Sequence, residues 1–182
     1  MNHRRALPAA VAGYLTGILL AVTGGWISAD EKKAESKSGS QTLEVCNESG
    51  KAHLLLPKDW SGLPRHQVEV KDRDGRTARY EGVSLVEVLR FAGVTIDGHL
   101  RGPRVANYIL IEAADGYRAV FALAEVDPSM TDRIVLVADR RDGNPLDSSA
   151  GPYRLVVPHD KLHSRWVRQL VKVSIQSAHQ SR

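Results

Sequence analysis

Two histidines four residues apart, His159 and His163, suggest metal chemistry. On a helix this spacing places both imidazoles on one side of a zinc ion, as in the H-E-x-x-H motif. Pro158 precedes them and can begin a helical turn, although the sequence offers no evident third ligand. The alternatives are that His159, Lys161 and His163 flank a phosphate or that they lie in an exposed loop. We predict no metal site and keep these three residues as candidate ligands of an anion.

Arg154 is the second residue with chemical potential, because it lies inside the apolar run at 153–157. An arginine within a strand either faces solvent or pairs with an anion, since charged side chains are rarely buried alone. Its planar guanidinium can donate two parallel hydrogen bonds to a phosphate. The residues themselves leave solvent exposure and anion binding open.

The elements that would position these side chains are mainly β-strands. Short apolar or alternating runs rich in β-branched residues predict eight strands, at 42–46, 52–56, 67–71, 105–112, 117–121, 133–138, 153–157 and 170–175. Asp-Gly pairs at 74–75, 115–116 and 142–143 predict tight turns, because glycine supplies the positive φ that such turns need. A mainly β domain with few helices follows.

One helix is clearly predicted, at 85–92. Ser84 and Glu87 form a capping box at its start, apolar residues share one face, and Gly93 closes its C-terminus. Shorter helical turns are predicted at 58–61 and 123–126. The apolar face of the main helix must pack on the sheet.

Several short motifs occur in a fixed order along the chain: Tyr-Glu-Gly-Val-Ser-Leu at 80–85, Asp-Gly-Tyr at 115–117, Asp-Gly-Asn-Pro-Leu at 142–146, Gly-Pro-Tyr-Arg-Leu-Val-Val-Pro at 151–158 and Arg-Trp-Val at 165–167. Together they resemble the molybdopterin-binding domain of the sulfite oxidase family, which includes bacterial periplasmic reductases of oxidised methionine. The resemblance covers about residues 43–175. It implies an α+β, mainly β fold with mixed sheets and a few short helices.

The resemblance also implies a cofactor. In that family, Arg, His and Lys side chains and backbone amides from loops hold the phosphate and ring edges of molybdopterin. Arg154 and Arg165 fall within the matching motifs and are the best candidates for this role. His159, Lys161 and His163 neighbour Arg165 and complete the predicted cofactor-binding set.

This chain departs from the family at the metal ligand. Family enzymes hold molybdenum through a cysteine thiolate shortly before the segment matching 80–85, but residues 67–79 contain no sulfur. The single cysteine, Cys46, lies far earlier in a strand-like run, where a buried inert thiol is expected. Ala150 also stands where family enzymes often have histidine. A carboxylate or water would not reproduce the softness of a thiolate, so bound molybdenum is doubtful.

We therefore expect a non-catalytic binding module for a pterin, for another anionic ligand or for a periplasmic redox partner. The alternative is a molybdopterin-dependent oxidoreductase that transfers an oxygen atom with an atypical set of metal ligands. A third possibility is a protein-interaction domain with an empty pocket. No Gly-x-Ser-x-Gly elbow, phosphate-cradling Gly-rich loop or dinucleotide fingerprint supports a hydrolase, a kinase or a dehydrogenase.

The N-terminal residues have the pattern of an export signal. Arg4 and Arg5 precede an uncharged, mostly apolar stretch at 6–29, and Asp30 follows at once. Residues 1–29 are either a cleaved signal peptide or a retained membrane anchor, because the apolar stretch is long enough to span the hydrocarbon core of a bilayer, which is about 30 Å thick. We expect a periplasmic or extracytoplasmic location, with membrane contact only through this segment.

Composition sets the remaining boundaries. Residues 30–41 are polar and predict a flexible linker, residues 42–176 form the domain, and residues 177–182 are a tail. The chain has 25 basic and 21 acidic residues, and removing Arg4 and Arg5 leaves 23 basic residues. Such a mild excess without a basic block predicts no nucleic-acid partner.

Overall fold

The computed structural model describes residues 41–178 except Asp97 and His99, all within one compact unit, Ser38–Arg182. The predicted leader, nearly all of the predicted linker and the tail beyond residue 178 lie outside the described residues. Within the described part of the chain, no helix is long and apolar enough to cross a membrane.

In the part of the chain that the structure describes, ten β-strands form two sheets. They are β1 (Leu43–Cys46), β2 (Ala52–Leu55), β3 (Arg65–Lys71), β4 (Thr77–Ser84), β5 (Asn107–Ala113), β6 (Arg118–Ala122), β7 (Leu136–Arg141), β8 (Asn144–Pro145), β9 (Arg154–Val156) and β10 (Leu170–Ser177). Two short α-helices are present among the described residues, α1 (Pro57–Trp60) and α2 (Leu85–Phe91). Three 3-10 turns complete the described elements, at Gly102–Ala106, Leu123–Glu125 and His163–Arg165. The predicted α+β, mainly β architecture is confirmed.

The first sheet has the strand order β2-β1-β10-β5-β6. Its β1 and β10 run parallel, and its other neighbours are antiparallel, so the sheet is mixed as predicted. Along β5, buried and half-buried side chains alternate from Asn107 to Ala113, as a strand with one core face requires.

The second sheet positions the candidate site. Its order is β3-β4-β7-β8, and β9 also pairs with β7, all antiparallel. Buried side chains from both sheets and from α2 belong to one hydrophobic cluster, with Tyr80, Leu89, Phe121 and Leu155 among its fully buried members. Burial of apolar surface of this kind is the main favourable term in folding.

The Asp-Gly turns are confirmed. Gly75 connects β3 to β4 and Gly116 connects β5 to β6, each at positive φ. Between β7 and β8, Asp142 and Gly143 have φ values of 51° and 80°, which is the pattern of a type I′ hairpin. The same turn extends β7 to Arg141, beyond its predicted end.

The Ser84 half of the capping box predicted for α2 is confirmed, whereas the Glu87 carboxylate accepts from Arg90 at 2.7 Å instead of closing the box. The Ser84 hydroxyl accepts a hydrogen bond from the Glu87 backbone N–H at 3.3 Å. Gly93 adopts a φ of 78° and ends the helix, which leaves Leu85, Val88 and Leu89 on the buried face.

The sequence-based strand assignment was wrong in three places. It missed β4, because Thr77–Ser84 alternates charged residues with small ones and has little hydrophobic signal outside Tyr80. It placed a strand at 133–138, whereas β7 begins at Leu136. The two-residue β8 was not predicted either.

Gly82 explains how β4 and β7 approach each other. The pairing register shifts between Glu81 and Gly82. A Cβ atom at Gly82 would lie 2.1 Å from the Val137 carbonyl oxygen, so no larger residue fits without backbone movement. A glycine at this position therefore allows β4, the strand that carries Tyr80, to approach β7 closely.

Candidate functional site: a buried arginine and its carboxylate

Arg154 lies in β9, where it pairs with Ala138 of β7. Its residue exposure is only 6%, and its chain neighbours Tyr153 and Leu155 are buried as well. The guanidinium donates from Nη1 to the Tyr80 hydroxyl at 2.7 Å, and Tyr80 reaches it from β4. Of the two possibilities left open by the sequence, solvent exposure is therefore wrong, and the Arg154 side chain must pair with an anion inside the protein.

Asp72 supplies that anion from the residue that follows β3. Its Oδ2 accepts a hydrogen bond from the Tyr80 hydroxyl at 2.7 Å, and its Oδ1 accepts one from the Arg73 backbone N–H at 2.8 Å. Arg141 Nη1 lies 3.1 Å from Oδ2, and Arg154 Nη2 lies 3.6 Å from Oδ1. The Asp72 carboxylate therefore lies between two arginines and a tyrosine.

These contacts keep Asp72 ionised. Burial by itself would raise the pKa of the carboxyl, but hydrogen bonds from Tyr80 and the Arg73 N–H, with the charges of Arg154 and Arg141, lower that pKa below its ordinary value. Burial, reinforced by the hydrogen bond to Asp72, raises the pKa of Tyr80 to about 12, so its hydroxyl stays protonated. The cluster thus contains a carboxylate, a neutral phenol and two guanidinium groups.

Aromatic rings cover the buried arginine. The Arg154 guanidinium carbon lies 5.2 Å from the Tyr80 ring centroid and 5.5 Å from that of Trp166. Contacts of this kind stabilise a guanidinium that has been removed from water. The Trp166 indole donates to the Val157 carbonyl at 3.0 Å, and the His163 ring stacks on the Trp166 ring at 3.9 Å. Trp166 and Tyr153 are buried aromatics, which is the structural role that their strand-like contexts favour.

One donor in this cluster lacks a partner. The Nε atom of Arg154 is buried and makes no hydrogen bond within the described part of the chain. Arg154 lines a cavity of about 230 Å³, together with the side chains of Asp72, Arg73, Asp74, Arg141, Asp147, Ser149, Ala150, Trp166 and Arg168. The side chains of Arg73 and Arg168 likewise make no hydrogen bond or ion pair among residues 41–178, Asp97 and His99 aside. Four arginines and three aspartates line the cavity, and three of the arginines, Arg73, Arg154 and Arg168, keep unused donors of the kind that suit an oxyanion.

Arg165 lies in a different environment from Arg154. It binds Asp160 through two nitrogens, at 2.8 and 2.7 Å, and Glu125 through Nη1 at 3.0 Å. These hydrogen bonds raise its pKa further above the ordinary arginine value, and its guanidinium carbon lies 4.3 Å from the Phe121 ring centroid. Arg165 is not among the residues that line the Arg154 cavity, so a cofactor-binding role for it stays a prediction.

The three other predicted ligands separate into two places. His159 lies in a turn beside Arg165 and Asp160, while Lys161 and His163 line an open depression of about 350 Å³ with Arg73. The helix that a zinc site would require does not form, since the 3-10 turn begins only at His163. Of the three, His163 comes nearest to the cluster, with Nδ1 4.0 Å from Asp72 Oδ1.

Cys46 lies in the other sheet, on β1, paired with Ala52 of β2 and Ser174 of β10. Its thiol is buried and donates to Glu44 at 3.3 Å. Burial raises the pKa of this thiol, and the hydrogen bond to Glu44 adds to the effect. Cys46 does not line the cavity beside Arg154, and it keeps the character of the inert buried thiol expected from its sequence context.

Comparison with known proteins identifies the family. The model of the family described as oxidoreductase molybdopterin binding domain matches residues 33–182. The chain belongs to this family. No curated protein sequence matches it. The fold is similar to that in the crystal structure of the sulfane dehydrogenase SoxCD from Paracoccus pantotrophus, with a TM-score of 0.58 at 20% identity.

The structural comparison covers 78% of this chain and 40% of the sulfane dehydrogenase chain, so the present protein spans less than half the length of that relative. At this identity the likeness shows the fold alone. The family and the fold that the motifs predicted are both confirmed.

The residues of the cavity fit the organic part of the family cofactor better than its metal. Arg154 Nε, Arg73 and Arg168 offer unpaired donors to a phosphate, as the anionic end of a pterin cofactor needs. Among the described residues no group of three His, Cys, Asp or Glu side chains is placed to hold a metal ion. No cysteine is among the residues that line this cavity, and the carboxylate in contact with Arg154, that of Asp72, is already bound by protein donors, so the soft metal does not fit here.

Sequence reasoning missed most of this cluster. It searched residues 67–79 for sulfur and therefore passed over Asp72, although an acid that directly follows a strand was visible there. It did not single out Tyr80 within its motif, nor Arg168, which comes two residues after Trp166. Only Arg154 was both predicted and found in the cavity.

Proposed function

We propose that the protein is an exported, non-catalytic binding module for a pterin or another ligand that carries an anionic group. The observation that carries the proposal is the buried Arg154 Nε without a partner, beside the unpaired side chains of Arg73 and Arg168. A buried unsatisfied donor costs roughly 1–3 kcal/mol, and a bound oxyanion would remove that cost. Membership of the molybdopterin-binding family supports a pterin as the first candidate ligand.

The non-catalytic part of the proposal rests on the chemistry of the residues near Arg154. The family's oxygen-atom transfer depends on a soft thiolate ligand, whereas this cavity offers the hard and already hydrogen-bonded carboxylate of Asp72. Export rests on the sequence pattern of residues 1–29 alone. A periplasmic redox partner remains the second proposed partner, from the resemblance.

The test is to purify the exported protein and to measure molybdenum by elemental analysis and released oxidised pterin by fluorescence. Export matters, because cytoplasmic overproduction can bypass cofactor loading. Pterin without molybdenum is the expected result. Molybdenum together with pterin would contradict the non-catalytic role and support the oxidoreductase alternative. The absence of both would leave a protein-interaction domain with an empty pocket.

A further inference from the structure

The acceptor capacity of Asp72 is almost used up by the protein itself. A carboxylate has about four lone-pair positions. Tyr80 and Arg141 take those of Oδ2, at 2.7 and 3.1 Å, and the Arg73 N–H takes one of Oδ1 at 2.8 Å. The remaining face of Oδ1 points towards Arg154 Nη2 at 3.6 Å. A metal ion approaching this carboxylate would therefore displace a hydrogen bond or meet a guanidinium.

The position of Asp72 means that its lack of free acceptor positions affects what the cavity can bind. Asp72 is the buried polar side chain within residues 67–79, the region from which a metal-binding thiolate was expected, and it lines the cavity beside Arg154. The carboxylate supplies negative charge to Arg154 and Arg141, as a bound anionic ligand would otherwise do. Without it, the buried Arg154 guanidinium would lose its paired carboxylate at a high electrostatic cost, whereas Arg141 would keep Asp142 at 3.5 Å and Asp74 at 3.9 Å.

We propose that Asp72 is a built-in counter-anion that determines the specificity of the cavity. Its contacts with Tyr80, Arg141 and Arg154 exclude a metal ion and a second anion from the part of the cavity next to Asp72. Arg154 Nε, Arg73 and Arg168 remain to bind one oxyanion of a metal-free ligand. The binding of that oxyanion rests on the proposed function, whereas the counter-anion role does not. Asp72 is thus a specificity-determining residue rather than a metal ligand.

Asp74 provides a matched control. It lines the same cavity and has the same formal charge, but its side chain is 49% exposed. Its carboxylate accepts a hydrogen bond from the Arg76 backbone N–H at 2.9 Å and lies 3.9 Å from Arg141. Replacing either aspartate by asparagine removes one negative charge from the cavity. Only the change at Asp72 removes the anion that Arg154 and Arg141 share.

The experiment is a calorimetric titration of the full chain with inorganic phosphate, at low salt and neutral pH, for the wild type, Asp72→Asn and Asp74→Asn. Phosphate should bind at least about 10-fold more tightly to Asp72→Asn than to the wild type, because the guanidinium donors that Asp72 occupies become available for charge-assisted hydrogen bonds to the phosphate. Asp74→Asn should change the affinity by less than about 3-fold, because an exposed charge is screened. Phosphate should also raise the unfolding temperature of Asp72→Asn more than that of the wild type.

The possible outcomes distinguish the counter-anion role of Asp72 from anion binding by the wild-type cavity. Equal gains in both variants, or no gain in Asp72→Asn, would overturn the counter-anion role even if the wild type binds phosphate. Phosphate binding by Asp72→Asn alone would support that role and contradict anion binding by the wild type. If Asp72→Asn does not fold, Asp72→Ser is titrated instead, because it removes the charge and keeps a hydroxyl acceptor for Tyr80. Zinc or manganese bound by the wild type and lost in Asp72→Asn would also overturn the proposal.

Discussion

Arg154 and Arg165 were equivalent candidates in the sequence, but the structure places them in opposite situations. Arg165 is partly exposed and fully paired, with Asp160 and Glu125 meeting its guanidinium at 3.0 Å or less. Arg154 is almost completely buried, shares Asp72 with Arg141 at longer distance, and keeps an unpartnered Nε. The comparison shows that an arginine with spare donors in a cavity is a better ligand candidate than one whose donors are already used.

The largest expected effect follows from removing the buried arginine. Arg154→Met leaves Asp72 with one guanidinium partner fewer and the Tyr80 hydroxyl without its donor. Breaking a buried pair from one side costs about 3–5 kcal/mol. Urea unfolding of the two proteins at pH 7 should show a loss of this size, and a loss below about 1 kcal/mol would mean that the cluster does not stabilise the fold.

The next effect is pH-dependent and comes from Asp72. Its pKa is lowered in the folded protein, so its contribution to stability is present above the unfolded pKa of about 3.9 and is lost as the pH falls through the folded value. Asp72→Asn should therefore be less stable than the wild type by about 2 kcal/mol at pH 7, with a difference that shrinks below about pH 4. Urea unfolding of both proteins from pH 7 to pH 3 measures this difference. A gap that stays constant to pH 3 would contradict a stabilising ionised carboxylate.

Tyr80→Phe isolates the hydroxyl that connects the two charged groups. This hydroxyl donates to Asp72 and accepts from Arg154, both at 2.7 Å, inside the core. Its removal should cost roughly 1–3 kcal/mol, because two buried polar groups each lose a partner. Thermal and urea unfolding give the value, with Tyr108→Phe on the exposed side of β5 as a control that should change little. Similar losses in both variants would contradict a special role for Tyr80.

The smallest effect is expected at Arg165. Its contacts with Asp160 and Glu125 lie near the surface, where ion pairs are worth about 0–1 kcal/mol. Arg165→Met should lower stability by no more than about 1 kcal/mol in urea unfolding at moderate salt. A loss as large as that of Arg154→Met would remove the distinction between the two arginines.

Much of the framework was predictable from local sequence chemistry. The three Asp-Gly turns and the Ser84 cap of α2 depend on backbone rules that act over a few residues, and the structure confirms them. β4 could not be predicted in the same way, because its residues become a strand only through pairing with β3 and β7. Its local hydrophobic pattern is weak, and pairing with the neighbouring strands determines its conformation instead.

The candidate site was less predictable than the fold for a related reason. Asp72, Tyr80, Arg141 and Arg154 come from four strands or their ends, separated by up to 82 positions in the chain. No spacing rule connects them, since their proximity depends on the order β3-β4-β7-β9 in the sheet. The His159 to His163 spacing was a visible local pattern, yet the turn in which it lies directs the two rings to different depressions.

The most direct test of the central claim is the phosphate affinity of Arg154→Lys compared with that of Arg165→Lys, measured by calorimetric titration of the full chain. Both variants keep their charge, but Arg154→Lys loses the buried Nε donor and the planar fork. We predict at least about 10-fold weaker binding for Arg154→Lys and a change below about 2-fold for Arg165→Lys. Weaker binding for Arg165→Lys with unchanged binding for Arg154→Lys would contradict the account.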